Sequence, residues 1–594
     1  MSGWLVRPVG ELGACDLRVS DSLCRWATLS PERCLVARRA QTGNWERVSY
    51  RDALAKIRRI GAALLQLGLS PERPIVILSG NSIEHLLVAL ASMYVGIPYV
   101  PVSPAYSTIT GELNVLRYVL GLLTPGLVAV FGDGDFDRAL SEASLQDAVL
   151  LSDRERSFSG RRFSWGDMFS VDNVASADAA RDHINGDTIA KFLLTSGSTG
   201  RPKAVITTHR MLCVNQAMIH QAMPFLSDDP PVLVDWLPWN HVFGGSHNLG
   251  IVLTHGGTLY IDDGRPSVDG LAETIRNLKE IAPTVYFNVP KGFEVLLPNL
   301  RNDDVLRENF FSRLKACFFA GAGLSQPVWD GLDALAVEST GRSIPMLSGL
   351  GATETGPSVT FTTAKMGCAG AIGLPVAGNI LRLVPVQEKI EMRVRGDNVT
   401  PGYWRDPALT AAAFDDEGFY KLGDAVRWLD TCDPCKGLMF DGRITEDFKL
   451  STGTWVSVGP LRAALLAALS PLVQDVVIAG LDRDEIGALI FLDPLGCATT
   501  FEHAERKSLN ELVRDDGIRA AVVDRLRRFA VLNPSSSKHP ARVRLMTTPA
   551  SLEFGEITDK GSFNQRAVLQ NRADEVRALY QETRATSGGA IVLQ

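Results

Sequence analysis

The stretch Thr195-Ser-Gly-Ser-Thr-Gly-Arg-Pro-Lys203 constrains this chain more than any other. Apolar runs on either side, Phe192-Leu193-Leu194 and Ala204-Val205-Ile206, predict two strands joined by the turn. Gly197 and Gly200 admit backbone geometry closed to other residues, Ser196, Ser198 and Thr199 supply hydroxyls, and the nucleotide-binding stretch begins at Thr195. Lys203 adds a positive charge where the loop ends. A loop of this kind gathers amide and hydroxyl donors around a polyphosphate, which points to a nucleotide. The spacing does not fit Gly-x-x-x-x-Gly-Lys-Ser/Thr, so it is not a Walker loop. On these residues alone, a plain hairpin connection stays open as the alternative.

Around the loop, short apolar runs alternate with helical segments. Strands are expected at 75–78, 99–102, 127–131, 232–236, 258–261, 285–288, 316–320 and 345–347. Asn81, with Glu84 three residues on, forms a capping-box pattern for a helix after 82. Buried parallel strands alternating with helices mean doubly wound α/β layers, and the run occurs once before and once after the loop. Two stacked α/β subdomains follow from that. Between Gly370 and Trp428 the pattern changes to short strands split by glycine and proline, a small β subdomain placed at about 365–430. Beyond Arg443 an α+β pattern begins, with a helix at 462–469 and strands at 474–480 and 490–492. The expected division is an N-terminal domain over 1–443 and a smaller α+β C-terminal domain over 444–594. Residues 587–594 read as a poorly anchored tail.

At 594 residues the chain exceeds one compact core. A net charge of −7 argues against a nucleic-acid partner, whose binding is driven by basic surface. The N-terminus lacks a basic segment followed by an apolar core, and no integral membrane association is expected. Nine scattered cysteines fit a reducing compartment, so the expected location is cytoplasmic. Cys432-Asp-Pro-Cys435 has no second pair nearby and reads as incidental spacing.

Two further constellations follow the loop. In Gly351-Ala352-Thr353-Glu354, directly after a predicted strand, Thr353 can bond an α-phosphate and Glu354 can hold Mg²⁺. The alternative is an ordinary strand-to-loop turn with an exposed Glu. In Tyr420-Lys-Leu-Gly-Asp424, a carboxylate on a glycine turn can accept both ribose hydroxyls, and Arg443 can brace the same sugar.

The order Ser-Gly-Ser-Thr-Gly-x-Pro-Lys, followed by these two pieces, resembles the acyl-adenylating enzymes, the superfamily of acyl-CoA synthetases, luciferases and peptide-synthetase adenylation domains. The resemblance runs from residue 195 to residue 565. It implies that His241, in Trp-Asn-His-Val-Phe-Gly, sits near the reacting carboxyl, and that Gly321, Ala322 and Gly323 pack on adenine and the acyl group. It also implies that Lys560 reaches the active site during adenylation, on a mobile C-terminal domain. Segments such as Phe287-Asn-Val-Pro-Lys291 and Glu446-Asp-Phe-Lys-Leu450 are similar to the feruloyl-CoA synthetases, which activate hydroxycinnamic acids.

The activity so implied takes a small carboxylic acid, ATP with Mg²⁺, and coenzyme A. An acyl-adenylate forms and then a thioester, with diphosphate and AMP released. Lys449, Gly453 and Trp455 fall where the family lines its coenzyme A face. The hinge position is Thr445, where the superfamily usually has Asp or Lys, so the hinge residue stays open, as do the coenzyme A contacts. Loading of a carrier protein in trans, a ligase for another aryl or medium-chain acid, and a silent nucleotide-binding protein remain as rivals.

Overall fold

The computed structural model describes the chain except residues 1–2, 109–112, 135, 143–144, 146, 197–200, 267–269, 364–365, 367, 506, 552–553, 558–562, 582–589 and 594. It is an α/β fold, and it divides into two units. Unit 1 comprises 1–384, 393–422 and 428–439; unit 2 comprises 385–392, 423–427 and 440–594.

Unit 1 carries a seven-stranded sheet in the order Pro202–Thr208, Ile189–Ser196, Tyr99–Pro101, Ile75–Ile77, Leu127–Val130, Val149–Ser152, Arg162–Ser164. All neighbours are parallel except the first pair, an antiparallel hairpin with Lys203 opposite Thr195. A second layer contains Val285–Asn288, Ala316–Phe319 and Met346–Gly351 as parallel neighbours, continued antiparallel by Ser358–Phe361 and Ala371–Pro375. A third sheet joins Val232–Asp235, Thr258–Ile261, Cys34–Arg39 and Trp45–Ser49. All the strands expected in these layers are present. Apart from Thr258–Ile261, where Tyr260 is only half-buried, their central residues are buried on both faces, which is why they read as continuous apolar runs rather than alternating ones. The 370–428 region is strand-rich as expected and adds one short helix, Pro407–Ala413.

The expected cap at Asn81 is corrected. The helix Ile83–Tyr94 is capped by Ser82, whose side chain accepts the His85 N–H. Asn81 instead donates to Leu237 O at 2.9 Å and accepts the Trp239 N–H at 3.0 Å, bracing the segment just before His241.

Unit 2 has its own core. The strands Val473–Ala479, Gly487–Leu492, Arg542–Leu545 and Ile591–Val592 form a sheet in that order, packed by the helices Val458–Leu469 and Asp516–Leu532. The tail expectation is therefore wrong at 591–592: Ile591 pairs with Val543 and is 6% exposed. Cys432 and Cys435 are free and exposed, and the described residues contain no cluster of three or more metal-ligating side chains. No described helix is long and apolar enough to cross a membrane.

Candidate functional site

The hairpin that ends at Ser196 and resumes at Pro202 brings Thr195 and Lys203 side by side. Gly197, Ser198, Thr199 and Gly200 lie outside the described residues, as does the side chain of Ser196. The Thr195 hydroxyl is buried with no hydrogen-bond partner among the described residues.

The Lys203 ammonium lies 3.0 Å from Glu354 Oε1 and donates to the Tyr403 hydroxyl at 2.7 Å. That hydroxyl donates in turn to Glu354 Oε1 at 2.9 Å, and it sits 3.1 Å from the Tyr420 hydroxyl. Burial works against the Lys203 charge, but the Glu354 carboxylate and the Tyr403 hydroxyl outweigh it and hold the ammonium above its ordinary value. Burial and the Glu354 charge push the Tyr403 phenol up, and the same two causes push Tyr420 up, so both stay neutral. The result is one cation and one carboxylate bridged by phenols. This arrangement suits a polyphosphate that takes the lysine and a hard cation that takes the carboxylate.

Local structure fixes these groups. Thr353 and Glu354 lie in a single 3-10 turn, Thr353–Thr355, directly after the strand Met346–Gly351. Asn398 Nδ2 bonds Thr355 O at 2.6 Å, and the Thr400 N–H bonds Glu354 O at 2.7 Å, so the turn is strapped from behind. Both Thr353 and Glu354 are buried, unlike the exposed turn that was the alternative. Tyr403 is held against the edge strand by a bridge to Val205 and by the Trp404 N–H on Ala204 O. Sequence reasoning missed Tyr403; its only signal is the turn Thr400-Pro-Gly-Tyr-Trp404.

His241 stands at the start of a helical turn, and its Nδ1 accepts the Phe243 N–H at 3.2 Å. That leaves the proton of a neutral ring on Nε2, where it can donate. Six residues on, His247 was also missed. It is buried in a ring of aromatics, with Phe243, Phe287, Phe318 and Phe361 at 5.2–6.2 Å. Burial draws its pKa down to about 4. Gly321, Ala322 and Gly323 form an exposed loop after the strand Ala316–Phe319; Gly321 has φ +88°, and added side-chain atoms at Gly321 or Gly323 would meet open space.

In unit 2, Arg443 Nε lies 3.4 Å from Asp424 Oδ1. The glycine turn expected at Asp424 is corrected: Gly423 and Asp424 lie inside the strand Tyr420–Trp428, with Gly423 at φ +74°. Thr445 is exposed in the turn after Leu438–Arg443. The same segment carries a buried ion pair, Lys389 with Asp447, that the sequence did not signal. Lys449 and Trp455 are cross-strand partners, with the Lys449 ammonium 5.8 Å from the indole ring, and Gly453 turns between them at φ +82°. Lys560 lies outside the described residues.

The model for AMP-binding enzymes matches residues 25–404, and that for the AMP-binding enzyme C-terminal domain matches 446–584. The chain belongs to the AMP-binding enzyme family. With that membership goes AMP-forming ligation of an acid, and the chain is acyl-CoA synthetase-like. It is 24% identical to the long-chain-fatty-acid–CoA ligase FadD15 of Mycobacterium bovis, over 92% of this chain and 94% of that one. Among solved structures, the A domain of carboxylic acid reductase from Segniliparus rugosus, in complex with AMP and a co-purified carboxylic acid, matches with a TM-score of 0.72. The identity there is 20%, over 95% of this chain and 94% of that chain. The anthranilate CoA ligase AuaEII in complex with anthranoyl-AMP matches with a TM-score of 0.70 at 17% identity, over 95% and 98%. These two likenesses show the AMP-binding enzyme fold.

Proposed function

We propose that this protein is an ATP-dependent acid–CoA ligase acting on ferulate or a related hydroxycinnamic acid in the cytoplasm. The observation that carries the reading is the Lys203–Glu354–Tyr403 cluster alongside the Thr195 hydroxyl, which has no partner among the described residues, a set with one cation and donors for phosphate oxygens. In the first half-reaction the acid's carboxylate attacks the α-phosphorus and diphosphate leaves. Thr195 and Lys203 bind the departing phosphates, Thr353 bonds the α-phosphate, and Asp424 with Arg443 holds the ribose. Mg²⁺ held by Glu354 would offset phosphate charge as it builds. His241 orients the carboxyl through its Nε2 proton, and the exposed loop Gly321, Ala322 and Gly323 accepts adenine and the acyl group. Lys560 is the proposed cation between carboxylate and α-phosphate, and Lys449, Gly453 and Trp455 the proposed coenzyme A face.

The aryl preference draws on the segments, such as Phe287-Asn-Val-Pro-Lys291, that are similar to the feruloyl-CoA synthetases. A fatty-acid reading draws on the likeness to FadD15. Coenzyme A-dependent AMP formation with ferulate, coumarate, caffeate, benzoate and a fatty-acid series separates the two. Ferulate and its relatives are expected to lead, and Glu354→Gln is expected to slow them by about 10²–10³. A preference for long saturated acids would overturn the aryl assignment, and AMP formation by the Glu354→Gln protein at the unmodified rate would overturn the site.

A further inference from the structure

Every bond that the Tyr403 hydroxyl can make is taken. It accepts from the Lys203 ammonium at 2.7 Å and donates its one proton to Glu354 Oε1 at 2.9 Å. The Tyr420 hydroxyl, 3.1 Å away, is then left to donate to its second lone pair. Lys203 also reaches the same Glu354 oxygen directly, at 3.0 Å. The ammonium, the phenol and the carboxylate thus close a triangle in which the phenol bonds both charges at once.

The backbone keeps that triangle in place. Lys203 belongs to the strand Pro202–Thr208, and the segment 400–404 lies along it. The Ile206 N–H donates to Gly402 O at 3.1 Å, the Trp404 N–H to Ala204 O at 2.8 Å and Thr400 Oγ1 to Ile206 O at 2.7 Å. The Thr400 N–H holds Glu354 O, and the Tyr403 N–H is anchored on Thr410 Oγ1 at 3.0 Å. All three corners hang on one hydrogen-bonded frame, so Lys203 leaves Glu354 by turning its side chain rather than by a parting of the strands.

The consequence is electrostatic. Lys203 is the cation this cluster offers to a triphosphate, yet it is already paired with Glu354. A triphosphate that arrives without a metal has to draw the ammonium away, and it then lies beside a buried carboxylate that has lost its partner. One that arrives with a divalent cation brings a replacement charge for Glu354 as it takes Lys203. Binding of nucleotide and metal is thereby coupled, each raising the affinity for the other. The size of the coupling follows how firmly Lys203 and Glu354 hold each other, and the Tyr403 hydroxyl adds a charge-assisted bond to each.

We propose that Tyr403 is a positioning residue that keeps Lys203 on Glu354 until the carboxylate is given a divalent cation, so that the site resists metal-free ATP and admits the metal complex. This rests on the ATP-site reading above.

The test is a calorimetric titration of ATP into the full chain, without acid or coenzyme A, once in EDTA and once in excess Mg²⁺. The unmodified protein is expected to bind the metal complex at least about tenfold more tightly than ATP alone. Tyr403→Phe keeps the ring, 4.2 Å from the Lys203 ammonium, and removes only the hydroxyl. It should bind metal-free ATP about tenfold more tightly than the unmodified protein does, because a bond to each charge is gone. Glu354→Gln should also bind metal-free ATP about tenfold more tightly, since it frees Lys203 outright, and Mg²⁺ should then add little. Damage to the fold would weaken ATP in both media, so tighter binding is a result that a merely structural role does not give. Metal-free affinity that is unchanged or lower in either variant overturns the proposal, as does equal affinity of the unmodified protein in the two media. Failure of the unmodified protein to bind ATP with Mg²⁺ at millimolar concentration would overturn the ATP site along with it, which tells the two failures apart.

Discussion

Lys191 shows what burying a single amine does to stability. Its neighbours along the strand Ile189–Ser196 are apolar, and burial alone moves its amine from the ordinary 10.5 to about 7. Between those values the unfolded chain binds a proton that the folded chain does not, so stability falls as the pH drops from about 10.5 to about 7 and then levels. Lys191→Met is therefore expected to unfold at a higher temperature than the unmodified chain at pH 7. The gain should shrink steadily toward pH 10, and thermal scans across that range read it directly. Each unit of pKa displacement is worth about 1.4 kcal/mol. A gain independent of pH would mean that methionine merely packs better.

Among the elements, the segment 444–447 between the strand Leu438–Arg443 and the hairpin that begins at Phe448 is the most telling. Asp447 is fixed at both ends of its carboxylate, by the Lys389 ammonium and by the Val458 N–H at 2.9 Å, while Lys389 also donates to Asp441 O at 2.6 Å. Asp447→Asn leaves a buried lysine with only the more distant Asp441 carboxylate, at 4.0 Å, and should cost unit 2 about 3 kcal/mol in urea unfolding, whereas the double change Lys389→Met with Asp447→Leu should cost far less. None of this was legible in the sequence, because the pair joins residues 58 positions apart that carry no local pattern. The strands were legible because full burial writes itself as an apolar run. Asn81 was misread because Ser82 offers the same capping chemistry one residue on, and only tertiary contact decides between them. Gly423 was read as a turn, yet it keeps a positive φ inside a strand. At the site, the hairpin loop and the Thr353-Glu354 pair stood out by composition, whereas Tyr403 and Tyr420 reach Glu354 from separate segments, and nothing in either segment announces that contact.

Taken whole, the molecule has one set of hydrophobic clusters within unit 1 and another within unit 2. Calorimetric unfolding is expected to show two transitions, with Lys191→Met raising one and Asp447→Asn lowering the other; a single transition shifted by both would mean that the two cores melt as one. Unit 2 is also assembled from three separate stretches of chain, 385–392, 423–427 and 440–594. That arrangement bears on inheritance. A crossover just before Arg443 that replaced it and everything after it would keep the recipient's Lys389 and Asp424 but import foreign counterparts of Asp447 and Arg443. Each salt bridge would then join strangers, so a viable exchange of this unit between relatives has to carry all three stretches or preserve both pairs.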